Sequence, residues 1–307
     1  MIIKRKGLIF CPDGKSDWAF SHAMNPTIDV ISSDVIRVYY SSLDVNKKGR
    51  IGFVDLNARN PTEILNISEI PILELGEIGT FDSSGMVPSS IVTIGNVKYL
   101  YYYGFQLVHD IRFMIYTGLA VSQNGGTSFE RLSRVPILDR TNTDPYIRSL
   151  PHVLVEDDVW RLWYTGVDAW TAVNGKILPV GNIRYTQSID GINFGSFKTI
   201  NCLNPKHNEF SLSRAFVFKR DNLYKMLFSR RMRETDNYLL GFAHSIDGLN
   251  WVRDDRKLLI EETSEDWDSE MICYTSLVEV HGKNYLFYNG NSFGETGFGY
   301  AEVEFRN

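Results

Sequence analysis

The sequence predicts an all-β fold, a five-bladed β-propeller, on three observations. Helical periodicity is hard to find, and short alternating or aromatic runs are bounded by Gly, Asn, Asp and Pro. One aromatic-rich segment recurs five times along the chain. A turn phrase also recurs, as SIDGINF at 188–194, SIDGLNW at 245–251 and a relative, SQNGGTSF, at 122–129. Repetition at a long, nearly constant period is the signature of a repeat architecture.

Each of the five repeats contains three recognisable strands. The middle strand ends in a four-residue motif, and successive motifs start 62, 62, 64 and 60 residues apart: YYSS at 39–42, YYYG at 101–104, WYTG at 163–166, LFSR at 227–230 and FYNG at 287–290. An apolar strand, often begun by Pro and small residues, precedes each motif, and a third strand follows it. Such units fit propeller blades. Two stacked β-sandwiches are the alternative, but they would not need five evenly spaced copies.

The repeats predict a single domain over 1–307. Its blades are expected at about 20–75, 82–140, 145–202, 208–262 and 268–307, with residues 2–11 completing the last. An open sheet edge invites aggregation, so the ring must be closed. We therefore expect residues near 7–11 to pair with residues near 298–305.

The repeated turn phrase predicts architecture rather than chemistry. In an Asp-Gly turn the Gly supplies a positive φ, and the Asp side chain caps turn amides. The aromatic residue that closes each phrase is expected to pack between blades. The turn residues concerned are Ser188, Asp190, Ser245 and Asp247, and the aromatic residues are Phe129, Phe194 and Trp251.

Composition and charge exclude several classes of partner. The net charge is −5 with no basic run, which argues against nucleic acid and anionic membranes as ligands. No stretch approaches 18 apolar residues, so no membrane span is predicted. The three cysteines are widely spaced, and the apolar stretch at the N-terminus is too short for a signal peptide. The sequence therefore predicts a cytoplasmic protein with reduced thiols.

The functional residues of a propeller are expected at the start of each first strand, where loops converge on one end of the central channel. The segments concerned are 21–27, 81–90, 143–153, 207–216 and 265–276. Their polar residues are His22, Asn25, Asp82, Asp144, Arg148, His152, Glu209, Arg214, Asp266, Asp268 and Glu270, and a Gly-rich loop adds Asn289 and Asn291. Convergent polar groups are what a binding site requires. The structural alternatives are turn caps, interior histidines and a pairing of Arg214 with Glu209.

Two carboxylates stand out as candidate catalytic groups. Asp82 and Glu270 lie among small or apolar neighbours, where a carboxylate is costly unless it is used or paired. Three arginines, Arg148, Arg214 and Arg230, indicate an anionic ligand such as a uronic acid, a sugar phosphate or a nucleotide-sugar.

The motifs resemble those of a known superfamily over essentially the whole chain. VPSS before a strand, second strands ending in YYYG and WYTG, and the SIDGLNW turn look like the five-bladed propeller glycosidases: arabinanases, β-xylosidases, levansucrases, invertases and mannoside phosphorylases. FDSSGMVPSS, DWDSEMICY and YNGNSFGETGFG look like a bacterial branch often found among polysaccharide-synthesis genes. The resemblance implies a carbohydrate-active protein.

The resemblance also implies three catalytic carboxylates, from blades 1, 2 and 3. Asp82 is the only clear match, as the blade 2 acid. Asn25 stands where the superfamily has its blade 1 Asp, and the blade 3 segment SLPHV has no Glu. Extra acids are found in blade 5 instead, as Asp268 and Glu270.

Two functions remain open from the sequence. The first is a glycoside hydrolase with Asp82 and Glu270 as its carboxylate pair, Asp268 nearby, and His22 and His152 as further acid or base groups. The second is a non-hydrolytic propeller that binds a glycan or nucleotide-sugar. Its predicted ligand contacts are Tyr274, Trp170, Asn289 and Arg214. A protein-interaction propeller would not need polar residues at every strand start. We expect a small-molecule or oligosaccharide ligand and no cofactor or metal.

Overall fold

The structure is a computed structural model that describes residues 1–195, 197–261 and 266–305. Within them β-strands are the predominant regular structure, so the all-β prediction is confirmed. The helical segments among these residues are a short turn, α1 (Asn291–Gly294), and 3-10 turns at Asp255–Lys257 and Asp266–Asp268. The predicted blade ends at 262 and 307 lie outside the described residues.

The strands form five groups of mainly antiparallel strands, and the N-terminal strand β1 (Ile2–Phe10) belongs to the last of them. One parallel pairing, Arg148 opposite Tyr116, joins the second and third groups into a single sheet. The first group is β2 (Ser21–Val30), β3 (Val35–Leu43), β4 (Gly49–Asn57) and β5 (Asn60–Ile67). The second group is β6 (Met86–Ile94), β7 (Val97–Gln106), β8 (Met114–Ser122) and β9 (Glu130–Arg131). In both groups, strands that follow each other in the chain lie side by side, as short hairpin connections dictate.

The third and fourth groups repeat this order. The third group is β10 (Ile147–Glu156), β11 (Val159–Val173), β12 (Lys176–Ser188) and β13 (Ile200–Leu203). The fourth group is β14 (Glu209–Arg220), β15 (Leu223–Met232), β16 (Tyr238–Ser245) and β17 (Val252–Arg253). The long β11 and β12 extend their hairpin well beyond the neighbouring strands.

The fifth group combines the two ends of the chain. It contains β18 (Leu259–Ile260), β19 (Cys273–Val280), β20 (Lys283–Asn289) and β21 (Phe298–Glu304), in the order β19-β20-β21-β1-β18. Strand β1 runs antiparallel to β21, with Gly7 opposite Tyr300 and Phe10 opposite Phe298. The expected pairing between the chain ends is therefore confirmed.

The repeated motifs place large side chains in the core. Their first residues are wholly buried: Tyr39, Tyr101, Trp163, Leu227 and Phe287. Each of the first three packs its ring near the aromatic residue that follows the turn phrase of the next group. The pairs are Tyr39 and Phe129 (5.7 Å between ring centroids), Tyr101 and Phe194 (6.5 Å), and Trp163 and Trp251 (6.4 Å). The prediction that these aromatic residues pack between groups is confirmed.

The turn phrases also fix neighbouring groups by hydrogen bonds. The donor in each case is the core aromatic residue, and the acceptor is the backbone oxygen of a turn glycine in the next group. The pairs are Tyr39 and Gly126 (3.0 Å), Tyr101 and Gly191 (2.7 Å), and Trp163 and Gly248 (2.9 Å). All three glycines have positive φ, which L-residues other than Asn or Asp rarely adopt.

The Asp of the turn phrase serves the turn itself, as predicted. Oδ1 of Asp190 accepts hydrogen bonds from the amides of Ile192 (2.9 Å) and Asn193 (2.8 Å) and from the Ser188 hydroxyl (2.6 Å). Asp247 makes the equivalent bonds in the fourth group. These bonds stabilise the ionised form, so the pKa of both carboxyls lies well below the usual range.

Across the described ranges, none of the helical segments is both long and apolar enough to span a membrane.

Candidate functional site

The first strand of each of the five groups contains a β-bulge, and these bulges define the candidate site. Each of them loses register with its second strand at a comparable point, where the first strand has one residue more than its partner. The bulged residues are 25–26, 89, 150–151, 214–215 and 274–275. Strands β2 and β14 have a further register shift nearer their start. At four of the five shared bulges the first residue has a positive φ: Asn25 (58°), Leu150 (51°), Arg214 (50°) and Tyr274 (54°). Bulges of this kind redirect side chains and are frequent beside functional sites.

Arg214 shows that the bulges converge. Its side chain is wholly buried, and the guanidinium donates to Oγ of Ser276 at 3.0 Å and to Oγ1 of Thr27 at 3.4 Å. It also donates to the backbone oxygen and hydroxyl of Ser89. One side chain from the fourth group therefore contacts the first strands of the first, second and fifth groups.

Further bonds link the bulges directly. The side-chain amide of Asn25 donates a hydrogen bond to the backbone oxygen of Pro88. The Ser276 hydroxyl donates to the backbone oxygen of Pro26 at 2.7 Å. Oγ of Ser89 donates to the backbone oxygen of Pro151 at 2.8 Å. All five first strands thus meet around one centre, as the sequence predicted.

The nine residues of the shared bulges include no carboxylate. They are Asn25 and Pro26, Ser89, Leu150 and Pro151, Arg214 and Ala215, and Tyr274 and Thr275. The single charge among them is the cation of Arg214, whose pKa burial lowers to about 10. A two-carboxylate hydrolysis would therefore need acids that reach this centre from elsewhere.

Asp82 has partners of its own, away from the bulges. Its carboxylate is wholly buried and accepts hydrogen bonds from the hydroxyl of Tyr102 (2.8 Å) and from Nε of Arg131 (2.7 Å). The hydroxyl of Thr80 donates to the other oxygen at 3.0 Å. A carboxylate held in this way inside one strand group is fully satisfied, and no contact in the described chain joins it to Glu270.

The same arrangement occurs in two further groups. Asp144 accepts a hydrogen bond from Tyr164 at 2.7 Å and pairs with Arg184 at 2.7 Å. Asp268 accepts from Tyr288 at 2.7 Å and lies 3.5 Å from a guanidinium nitrogen of Arg5. In all three groups the acid stands 20 residues before the tyrosine. Asp82, Asp144 and Asp268 therefore occupy one repeated architectural position, that of a buried Asp-Tyr-Arg network.

Glu209 fills the comparable place in the fourth group. Its side chain is buried and accepts from both terminal nitrogens of Arg253, at 2.8 and 2.5 Å, while Arg230 lies 3.5 Å away. Burial alone would raise the pKa of Glu209, but the bonds from Arg253 outweigh it and the pKa is lowered. The partner of Glu209 is thus Arg253, not Arg214 as considered from the sequence.

Three predicted residues share one small cavity between the fourth and fifth groups. Glu270, Asp268 and Arg230 line a space of about 150 Å³ together with Arg5. The Glu270 side chain is exposed, and its backbone amide donates to Oδ1 of Asn291 at 2.9 Å. The cavity has one buried, paired carboxylate and one exposed carboxylate.

The two predicted histidines differ in burial. Nε2 of His152 lies 2.7 Å from the backbone oxygen of Val217, and burial followed by nearby Arg214 lowers its pKa to about 3. A neutral, buried imidazole of this kind matches the interior alternative. His22 is half-buried beside Ser21, has a φ of 65°, and burial also lowers its pKa. It remains next to the bulge of β2.

The remaining predicted residues have backbone partners. The side-chain oxygen of Asn289 accepts a hydrogen bond from the backbone amide of Asn25 at 2.6 Å. Its side-chain nitrogen donates to the backbone oxygen of Ala23 at 2.6 Å, and the two bonds connect the fifth group to the first. Asn291 also bonds the 266–271 segment through the backbone oxygen of Asp266 at 2.7 Å. The guanidinium of Arg148 is buried, donates to the Asp139 backbone at 3.0 Å and lies 3.4 Å from Asp144.

One constellation was missed in the sequence, and we name it the Arg231 cluster: Phe210, Arg231, Tyr238, Tyr274 and Phe293. The guanidinium carbon of Arg231 lies 5.2, 5.3 and 5.2 Å from the ring centroids of Phe210, Tyr238 and Phe293. Tyr238 also lies 5.3 Å from the ring of Tyr274, a bulged residue. The cluster therefore adjoins the common centre.

Backbone geometry explains why the cluster was missed. Ser292 and Phe293 have φ values of 52° and 61°, in the left-handed region, followed by Gly294 at 92°. A left-handed Phe is rare, and such conformations persist where the surroundings enforce them, often at functional sites. The glycines of the loop FYNGNSFGETGFG were visible in the sequence. The sequence did not predict that the Phe293 ring would lie beside Arg231.

The comparisons with known proteins give a fold and a family. No protein-family model matches the chain. Among solved structures, similarity extends to a thermostable family-43 glycoside hydrolase (TM-score 0.70, 14% identity, 95% of this chain and 93% of that one) and a glycosyl hydrolase from Bacteroides ovatus (0.71, 12%, 98% and 93%). It also extends to a structure from the family of mannoside phosphorylases that contains hydrolases targeting β-1,2-mannosidic linkages in Candida mannan (0.71, 13%, 98% and 93%).

These neighbours are glycoside hydrolases with propeller-type folds, so the resemblance found in the sequence is confirmed at the level of the fold. Among curated proteins, the uncharacterized protein Rv1502 of Mycobacterium tuberculosis is 32% identical over 304 residues, which span 99% of this chain and all of that protein. The chain therefore belongs to the same family as Rv1502.

Proposed function

We propose that the five strand groups are the blades of a five-bladed propeller whose ring is closed by β1. The pairing of β1 with β21 supports closure, because it joins the two chain ends within one sheet. The contacts of Arg214 with three other first strands support a common axis. The blade extents predicted from the sequence, about 20–75, 82–140, 145–202, 208–262 and 268–307 with 2–11, are part of this proposal.

We propose further that the protein binds a carbohydrate at the mouth of the channel without hydrolysing it through a carboxylate pair. The observation that carries this proposal is the absence of any carboxylate from the nine residues of the shared bulges around the centre. Retaining and inverting glycosidases both need two carboxyl groups on either side of the scissile bond. Asp82 and Asp268, two of the predicted catalytic residues, have buried partners instead.

The Arg231 cluster supplies the surface that such a ligand needs. Phe293 is half-buried, and we propose that its ring meets the apolar face of a sugar. Tyr274 lies on the buried side of the cluster, since burial raises the pKa of its hydroxyl well above the usual value. The guanidinium of Arg231 is held among the rings and by Asp236 at 2.8 Å. A rigid aromatic surface with a fixed donor binds at little cost in conformational entropy.

Glycoside hydrolysis is the second candidate, and one observation favours it. Glu270, Asp268 and Arg230 line a common cavity, and Glu270 is exposed and can exchange a proton with a ligand. In this alternative Glu270 is the acting acid, and Asp268 would have to leave its bond with Tyr288. Asp82 stays in the role of an orienting group.

Calorimetry and a hydrolysis assay separate the two functions. The purified chain is titrated with mannose, arabinose, xylose and fructose, and is incubated with their nitrophenyl glycosides. We expect binding of at least one sugar, no release of nitrophenol, and a loss of affinity of about tenfold for Phe293→Ala. Phe197→Ala, which removes a partly exposed ring outside the cluster, is the matched control.

Each result decides between the candidates. Nitrophenol release that Glu270→Gln abolishes would establish the second candidate and overturn the first. Equal affinities for the Phe293 and Phe197 variants would remove the cluster from the site. Absence of both binding and release would overturn both functions. The cytoplasmic location and a role in polysaccharide synthesis stand beside them as predictions from the sequence.

A further inference from the structure

A second cavity, larger than the one beside Glu270, lies between the third and fourth strand groups. Its volume is about 500 Å³, within the range of small-molecule sites. Its apolar residues are Val180, in the extended part of the β11–β12 hairpin, and Pro205 and Phe210. The cavity also has a polar wall, of which only Glu209 was singled out in the sequence and which the proposed function does not use.

The polar wall carries an excess of positive charge. It consists of Lys206, His207, Arg233 and Glu209. Glu209 contributes no free negative charge, because its buried carboxylate is held on both oxygens by Arg253. In the part of the chain that the structure describes, no carboxylate lies within 4.0 Å of the exposed Arg233 guanidinium.

Lys206 and His207 complete the basic wall. The ammonium of Lys206 lies 3.1 Å from a carboxylate oxygen of Asp255, which fixes it beside the cavity. The His207 side chain is exposed and can donate a hydrogen bond to an acceptor in the cavity. Three donors around one concave space provide the chemistry that holds an oxyanion.

Phe210 connects this cavity to the Arg231 cluster. The residue lines the cavity, while its side chain is wholly buried with the ring centroid 5.2 Å from the guanidinium carbon of Arg231, so the cavity and the cluster are neighbours. A ligand that places a sugar ring on the cluster can therefore extend a substituent past Phe210 into the basic cavity.

We propose that this cavity binds the oxyanion, a phosphate or a carboxylate, of a carbohydrate ligand whose ring lies on the Arg231 cluster. The inference rests on the proposed function for the position of the sugar. It adds a class of ligand, the anionic sugar, and three residues that select it: Lys206, His207 and Arg233. Phosphate and carboxylate share the required chemistry, and separate arms of the experiment distinguish them.

The first arm needs no sugar. The full chain is titrated with inorganic phosphate and, separately, with acetate, while NMR follows the ring protons of His207. We expect a saturable shift with at least one of the two anions, and a dissociation constant about tenfold higher for Arg233→Gln. Arg256→Gln removes an equally exposed arginine outside the cavity and serves as the matched control.

The second arm uses sugars. Calorimetry compares glucose with glucose 1-phosphate and with glucuronate. We expect one anionic sugar to bind at least tenfold more tightly than glucose, and Arg233→Gln to remove that preference while the affinity for glucose stays unchanged. Whichever anionic sugar is preferred identifies the oxyanion as phosphate or carboxylate.

The outcomes separate this inference from the proposed function. Sugars that bind with no preference for an anionic form would overturn the inference and leave the proposed function standing. Equal effects of the Arg233 and Arg256 variants would also overturn it. A His207 shift that Arg233→Gln weakens, with no sugar bound at all, would support the anion site and overturn the proposed carbohydrate function.

Discussion

The hydroxyl of Tyr102 donates a hydrogen bond of 2.8 Å to the buried carboxylate of Asp82. The bond recurs between Tyr164 and Asp144 and between Tyr288 and Asp268. A carboxylate that seemed set apart by its apolar neighbours is therefore one copy of a repeated support. The repetition makes the role of Asp82 testable against its equivalents.

Asp82→Asn is expected to lower the free energy of unfolding, because it leaves the half-buried Arg131 without its countercharge. Removing one partner of a fully buried pair costs about 3–5 kcal/mol, and the partial exposure of Arg131 should place the cost at or below the lower end of that range. Asp144→Asn should have a similar effect, since its carboxylate also faces a tyrosine and an arginine. Urea unfolding of the two variants measures the cost. If only the Asp82 variant lost ligand binding or turnover while keeping its stability, the support role would be wrong.

Tyr40→Phe is expected to be neutral or to stabilise the protein by about 1 kcal/mol. Tyr40 stands in the first group where Tyr102 stands in the second, but the residue 20 positions earlier is Phe20. The buried Tyr40 hydroxyl has no hydrogen-bond partner among the described residues, and such a group costs free energy.

Tyr102→Phe is the matched variant for that test. It removes a hydroxyl that is bonded to a charged group, so a loss of about 1.5–3 kcal/mol is expected. Thermal unfolding of both variants shows whether each substitution raises or lowers the stability of the protein. A destabilising Tyr40→Phe, equal to Tyr102→Phe, would contradict the difference in their environments.

Tyr101→Phe is expected to weaken the contact between the second and third groups. The change keeps the buried ring but removes the hydrogen bond to the backbone oxygen of Gly191, at a cost of about 1 kcal/mol. Tyr146→Phe, at a partly exposed tyrosine, is the control. Equal unfolding midpoints for the two variants in urea would show that this bond does not hold the groups together.

His152 is expected to make the protein less stable as the pH falls below 6.5. Burial, and then the charge of Arg214, lower its pKa to about 3 in the folded state, while the unfolded chain takes up the proton near 6.5. The unfolded state therefore binds more protons between these values. Stability is lost there by as much as about 1.4 kcal/mol per pH unit.

His152→Gln tests this dependence, since glutamine does not titrate. Urea unfolding between pH 7.5 and pH 4.5 should give a shallower decline for the variant than for the wild type. His109→Gln, which replaces an exposed histidine, should leave the decline unchanged. Parallel curves for the His152 variant and the wild type would rule out this contribution.

The repeats and the turns could be predicted because their evidence is local. The pairing of the chain ends followed from a different argument, that the first and last strands of a repeated sheet should not leave an open edge. The carboxylate of Asp190 bonds amides two and three residues away, so a single phrase of sequence specifies the turn. The register of the five motifs follows from spacing alone. The same local reasoning failed to distinguish a catalytic acid from a paired one.

By itself, then, the sequence determined the all-β class, the five repeats, the turns and the pairing of β1 with β21. Only the tertiary structure decided the state of each polar group. The arginine that pairs with Asp82 is 49 residues away, and the partners of Arg214 are 62, 125 and 187 residues away. Burial and charge compensation depend on which distant segments come together, and no local pattern encodes those contacts.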